Sequence, residues 1–257
     1  MSFLALPEIM VAPNGARRTK ADHPAMPVTI PQTVATAKAC FEAGAGGIHA
    51  HVRDADQAHV LDAGLYRELV AELARELPDM TVQITTEAVG RYSPEEQRAV
   101  VRAVMPKMVS VALREMIPDP DTSEAARFYQ WAHEAQIAVQ HILYTPNEVS
   151  RLEELVETGV IPRDDLQCLF VLGRYAKDQE SDPLDLLPFL DTLNMSALVA
   201  DWAVCAFGRG ETAALQAAFA AGGKARVGFE NSLWNADGSL AADNAERVRE
   251  ISALQSR

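Results

Sequence analysis

His49 and His51 stand two residues apart in the segment GGIHAHV (46–52), with Arg53 and Asp54 close behind. Side chains at i and i+2 share one face of a β-strand. In an extended segment both imidazoles therefore project one way, while Ile48, Ala50 and Val52 project the other. Two neutral imidazoles on one face suit Zn2+ or a similar divalent ion. A His-x-His pair elsewhere is often just two hydrogen-bonded histidines; here the alternation with apolar residues argues for an inward, ligating pair. The third ligand expected is Glu230, which ends the segment RVGFE (226–230). Two imidazoles and a carboxylate leave positions open for substrate, as in a catalytic metal site.

Other polar residues end apolar runs and are candidates for the same pocket. Arg226 precedes Glu230 by four residues and shares its face by parity, so it points inward toward an anion or an internal carboxylate. Asn14 ends the first run and opens a long irregular stretch, 14–30, that carries Arg17, Arg18, Lys20, Asp22 and His23. A loop of this length is usually functional, and a lid is the expectation. Thr85, Thr86 and Glu87 end the third run, and Arg114 and Glu115 the fourth. The segment Phe207-Gly208-Arg209-Gly210-Glu211 precedes a helix and offers a phosphate turn, with Arg174 nearby to assist. His141 reads as a core residue, and His59 and His133 as surface residues. No G-x-S-x-G nucleophile motif occurs.

These residues need a scaffold that gathers the ends of several strands. Short β-leaning runs are predicted at 7–13, 46–52, 81–86, 108–113, 137–144, 166–173, 200–207 and 224–230. Helical patterns are predicted at 31–44, 62–77, 94–105, 123–136, 147–158, 183–193, 210–222 and 241–255. Strict alternation predicts a parallel sheet, and eight repeats predict its closure into a (β/α)8 TIM barrel. An open doubly wound sheet is the rival, but the run after the first strand, APNGARR, lacks G-x-G-x-x-G. The length, 257 residues, suits one barrel domain over 1–257, since such barrels take about 250 residues. In a closed barrel only strand one separates strands eight and two, so Glu230 can converge on the histidine pair.

Composition narrows the functional classes. A net charge of −13 argues against duplex nucleic acid and membrane surfaces as partners. Three separated cysteines, Cys40, Cys168 and Cys205, read as buried thiols in a reducing, cytoplasmic compartment. The first ten residues lack the basic region of a signal peptide, and no run approaches the ~20 apolar residues that span a bilayer.

The stretches APNGAR and DHPAMPVT (12–29), AKACFEAGAGGIHAHVRDAD (37–56), LFVLG (169–173), WAVCAFGRGE (202–211) and RVGFENSLWNADGSLAADNAERV (226–248) resemble the β-keto acid cleavage enzymes. The resemblance implies Zn2+ on His49, His51 and Glu230, a homo-oligomer (dimer or tetramer), and acetyl-CoA as co-substrate. The implied reaction converts a β-keto acid and acetyl-CoA into acetoacetate and a new acyl-CoA, with the zinc acting as Lewis acid. Asn14, Arg17, Thr85, Gln140 and Arg209 are then the expected substrate-binding residues, and Arg226 a catalytic one. The family's aminohexanoate enzyme has an aspartate after the metal-binding glutamate; Asn231 stands there in this chain. Asn231 cannot take a proton, so the base is expected to be Glu87 or Glu115, with Asn231 keeping a hydrogen-bonding catalytic role toward Arg226 or the substrate carbonyl. Arg17 and Gln140 replace acidic pocket residues of that enzyme, which predicts a substrate with a neutral or anionic tail. A metal-dependent hydrolase is the alternative, because His-x-His on a barrel strand is also found there. Hydrolases of that kind carry the pair on strand one, add histidines on strands five and six, and use aspartate on strand eight.

Overall fold

The computed structural model describes residues 3–255. Eight parallel strands close into a barrel in sequence order: β1 (Ile9–Val11), β2 (Gly47–Ala50), β3 (Thr81–Thr85), β4 (Met108–Ala112), β5 (Ala138–Leu143), β6 (Leu166–Leu172), β7 (Ala200–Ala206) and β8 (Lys224–Val227). β1 pairs with both β2 and β8, Met10 lying opposite Gly47 on one side and Arg226 on the other. The expected (β/α)8 TIM barrel is therefore the observed architecture. Helices α1 (Ile30–Glu42), α2 (Ala63–Glu76), α3 (Pro94–Val104), α5 (Ser123–Glu134), α6 (Pro146–Glu157), α7 (Leu187–Met195), α8 (Glu211–Ala220) and α9 (Asn244–Gln255) follow the strands. A one-turn helix, α4 (Leu113–Met116), directly follows β4, where the sequence suggested only a polar strand end. Among the described residues no helix is long and apolar enough to cross a membrane.

Local signals account for the helix starts. Ser93 and Glu96 form a reciprocal capping box ahead of Pro94, and Asp182 caps a 3-10 turn, Pro183–Leu186, that leads into α7. Alternation along the strands sorts the core into two parts. Ile48, Ala50, Ile84, Val109, Val111 and Phe170 face the helices. Met10, Met108, Ala138, Leu169 and Ala203 fill the barrel interior. Near the catalytic end polar side chains replace the apolar ones, and there the site begins.

The strands are shorter than the sequence suggested, and β8, expected to run to residue 230, is one of them. It stops at Val227 because Gly228 takes φ +138, a left-handed conformation that turns the chain. A Cβ at Gly228 would also lie 2.6 Å from the Ala12 carbonyl. Glu230 thus reaches the site from a turn, and parity along β8 does not place it.

That turn is fixed from three directions. The Gly228 N–H donates to Glu211 (3.3 Å), the Phe229 N–H to Asn244 (2.9 Å) and the Glu230 N–H to the Ala12 carbonyl (3.0 Å). Glu211 is itself held by the fully buried Arg247, which donates to its carboxylate at 2.8 Å. Burial pushes the Glu211 carboxyl up to about 7, against the pull of Arg247. Removing one partner of a buried ion pair typically costs ~3–5 kcal/mol. Arg247→Met is expected to lose that much stability at pH 8, seen as a lower urea midpoint. The loss should shrink on acidification, because protonating Glu211 removes the uncompensated charge. A pH-independent loss would place the stabilisation in packing alone.

Candidate active site

His49 lies on β2 and His51 just beyond it, both pointing into the barrel mouth. Their Nε2 atoms are 3.2 Å apart, and Glu230 Oε2 lies 3.5 Å from the first and 3.6 Å from the second. A tetrahedral ion with ligands ~2.0–2.1 Å away needs its ligand atoms ~3.3–3.4 Å apart. The three atoms fit that spacing. Glu230 Oε2 is buried and has no hydrogen-bond partner among the described residues, a state that costs free energy unless something else meets the charge. The donor set and the orphaned oxygen both suit a divalent cation.

The tautomer of His49 follows from its neighbours. The Gln140 amide NH2 donates to the Cys168 carbonyl (3.3 Å), so the Gln140 oxygen accepts from Gln83 Nε2 (3.0 Å). The Gln83 oxygen then accepts from His49 Nδ1–H (2.8 Å), leaving the His49 Nε2 lone pair aimed at Glu230. Burial pushes His49 down to about 4 and His51 well below its ordinary value, so both are neutral at pH 7 and able to ligate.

The backbone around the pair is pinned by the loop after β1. Asn14 accepts from the His51 N–H (3.3 Å) and donates to the His51 carbonyl (3.0 Å). Arg53 turns its guanidinium onto the carbonyls of Asn14, Gly15, Ala16 and Arg18, and onto that of Gln57. Gly15 is needed where Glu230 passes, since a Cβ there would lie 2.5 Å from Glu230 Cγ. Met26 and Val28 pack against Phe229 and Ala241, with His23 edge-on to Phe229. The stretch expected to be a lid is thus folded down over the Glu230 turn in this structure.

Above the triad opens a cavity lined by Asn14, Arg17, Arg18, Thr85, Glu87, Tyr144, Arg174 and Arg226, among others. Glu87 Oε2 lies 4.0 Å from His51 Nε2. Burial, with Glu230 and Glu115 adding repulsion, pushes the Glu87 carboxyl up to about 7. Arg226 donates to Glu230 Oε1 (3.3 Å), and its Nε and Nη1 are buried without partners among the described residues. A half-buried carboxyl poised near neutrality, in a cavity it shares with an arginine that has unmet donors, can move a proton next to a bound anion.

Comparison with known proteins places the chain in a family. The family model for beta-keto acid cleavage enzymes matches residues 8–257. The chain belongs to the β-keto acid cleavage enzyme family. It is 26% identical over 258 residues to a 3-oxoadipate:acetyl-CoA acetyltransferase of Cupriavidus necator, covering 96% of this chain and 87% of that one. It is 25% identical over 263 residues to a 3-keto-5-aminohexanoate cleavage enzyme of Fusobacterium nucleatum, covering 96% and 90%. Among solved structures, the apo structure of ObcA superposes with a TM-score of 0.70 at 16% identity over 90% of this chain. The chain spans 61% of the length of that ObcA chain, and the likeness concerns the fold. Family membership displaces the hydrolase alternative.

Within this β-keto acid cleavage enzyme the remaining candidates fall in different places. Asn14, Arg17, Thr85, Glu87 and Arg226 line the cavity. Gln140 lies beneath it, at the far end of the His49 relay. Glu115 sits on α4 with its carboxylate accepting from the Ala88 N–H (2.9 Å) and is not among the cavity-lining residues. Asn231 is fully buried with both amide atoms unpartnered, also outside the cavity lining. Arg209 is exposed, stacked 3.8 Å over the Trp234 ring and donating to the Gly238 carbonyl. The glycine turn expected to receive phosphate already holds an internal anion, since the Arg209 N–H donates to Glu180 (2.7 Å).

His59 was expected at the surface and is 4% exposed, with Nδ1 3.2 Å from His51 Nδ1. Its place in the loop after β2 gave no apolar periodicity from which burial could be read. His141 is buried as expected, its ring 5.4 Å from that of Tyr129, but its Nδ1 has no partner. Tyr144, just past β5, lines the cavity without having been singled out in the sequence. A tyrosine after an apolar strand is ordinary core composition and carries no signal by itself.

Proposed function

We propose that the protein transfers acyl groups between a β-keto acid and acetyl-CoA, using Glu87 as the base and His49, His51 and Glu230 as ligands of one Zn2+ per chain. Bound there, the ion supplies a Lewis acid for the carbonyl and carboxylate of the substrate. The residues of the chain do the rest. Arg226 offers two unpartnered donors to an anionic oxygen at the cavity floor. Glu87 removes a proton from C2 of the β-keto acid. C2 then bonds to the acetyl carbonyl carbon, the CoA thiolate passes to the 3-keto carbon, and the C2–C3 bond breaks. Acetoacetate leaves with the returned proton, and the other fragment leaves as a new acyl-CoA.

The observation that carries this reading is the Glu87 carboxyl 4.0 Å from His51 Nε2, in the cavity that opens above the triad. Incubating β-keto acids with acetyl-CoA and following acyl-CoA species by mass spectrometry tests it. The expected result is a new acyl-CoA together with acetoacetate. Turnover at the same rate without acetyl-CoA would exclude the transferase reading.

The lining also bears on the substrate tail. Arg17, Arg18 and Arg174 stand around the mouth, against two lining carboxylates, Glu87 and Glu230. Arg18 is engaged with the carbonyls of Phe229 and Asn231, whereas Arg174 lies over the Phe207 ring (5.1 Å). An anionic tail is therefore favoured over an ammonium tail. A hydrogen bond to a charged group contributes ~1.5–3 kcal/mol, or roughly 10–150-fold in affinity. Arg174→Met is expected to lower kcat/KM for a dicarboxylic β-keto acid by that factor and to leave a neutral-tailed one nearly unchanged. Equal losses on both substrates would remove Arg174 from tail recognition.

A further inference from the structure

We propose that His59 is a positioning residue of this site, fixing the tautomer of His51 and holding the backbone of Glu87 through the two nitrogens of one imidazole. The proposal deepens the metal-site reading and rests on it. His59 Nε2 lies 3.0 Å from the Glu87 carbonyl. A carbonyl oxygen only accepts, so the His59 proton resides on Nε2 and its Nδ1 presents a lone pair. That Nδ1 faces His51 Nδ1 at 3.2 Å. Two lone pairs at this distance would repel, so His51 carries its own proton on Nδ1 and donates it; the His49 and His51 Nε2 lone pairs that then face each other at 3.2 Å are the opening for a cation. His51 Nε2 is thereby left unprotonated, and that atom lies 3.6 Å from Glu230 Oε2.

The arrangement matches the relay behind His49, built from different residues. There the order Cys168 carbonyl, Gln140, Gln83 and His49 ends on a backbone acceptor and frees Nε2. Behind His51 the order is Glu87 carbonyl, His59 and His51. Each ligand is thus held in the ligating tautomer by a chain of donors anchored on a main-chain oxygen. The second chain has an added consequence. Its anchor is the residue whose side chain stands 4.0 Å from His51, so one imidazole sets both a ligand and the proposed base. Partners that orient metal-ligating histidines typically cost 10–100-fold in metal affinity when removed.

Histidine-selective 15N NMR of the metal-free wild-type protein tests the tautomer directly, and His51 is expected as the Nδ1–H form. Zn2+ affinity is then measured by competition with a chromophoric chelator for the wild type, His59→Leu and His59→Gln. Leucine removes both contacts and is expected to weaken binding ~10–100-fold. Glutamine keeps one acceptor and one donor and is expected to stay within a few-fold of the wild type. An Nε2–H His51, or a leucine variant that binds Zn2+ as tightly as wild type, would overturn the proposal. If the leucine variant does not fold, the wild-type tautomer and the glutamine variant decide it. Wild-type protein that takes up no Zn2+ would instead sink the metal reading on which this one rests.

Discussion

His51→Ala is expected to fold, to purify without stoichiometric divalent metal, and to lose β-keto acid turnover. The expectation follows from three ligand atoms 3.2–3.6 Å apart, one of them a buried carboxylate oxygen with no other partner. With His51 truncated, two ligands remain, and Glu230 keeps its ion pair with Arg226 (3.3 Å). The backbone of residue 51 keeps both of its hydrogen bonds to Asn14, and the variant is expected to fold for that reason. Metal that binds the folded state adds RT ln(1 + [L]/Kd), about 2.7 kcal/mol at a hundredfold excess over Kd. Wild-type protein should therefore melt higher with added Zn2+, and His51→Ala should not. Elemental analysis and thermal melts check both points. A variant with wild-type metal content would move the site elsewhere.

Glu87→Gln is the second variant with a large expected effect, a ~10²–10⁴-fold fall in kcat with KM little changed. The amide is nearly isosteric, and the Glu87 N–H keeps its bond to Thr85 Oγ1 (3.0 Å), so the pocket retains its shape. What is lost is a proton acceptor whose carboxyl is raised to about 7, first by burial and then by Glu230 and Glu115. Exchange of the C2 hydrogens of bound β-keto acid with deuterated solvent reads the proton step alone. It should fall in parallel with kcat in Glu87→Gln and persist in Glu115→Gln, because Glu115 is occupied with the Ala88 N–H. The opposite pattern would assign the base to Glu115.

Sequence patterning was sufficient for the barrel. Eight alternating units, capped helices and inward-outward parity depend on local propensity and on burial of one face, and both are written residue by residue. The same parity put His49, His51 and Arg226 inside. The resemblance carried by RVGFEN and HAHVRD extended this to the family. The tertiary structure decided what depends on neighbours far along the chain. Glu230 reaches the histidines because Gly228 turns and Glu211, Asn244 and Ala12 hold the turn, contacts that no strand periodicity encodes. His59 became a buried partner of His51, and Gln140 a relay residue, because their surroundings come from other strands and loops. Glu87 and Glu115 are alike in sequence, each a glutamate after a strand. Closure of the barrel turned one into the cavity and gave the other a backbone amide, since a side chain's electrostatic environment is set by what packs around it.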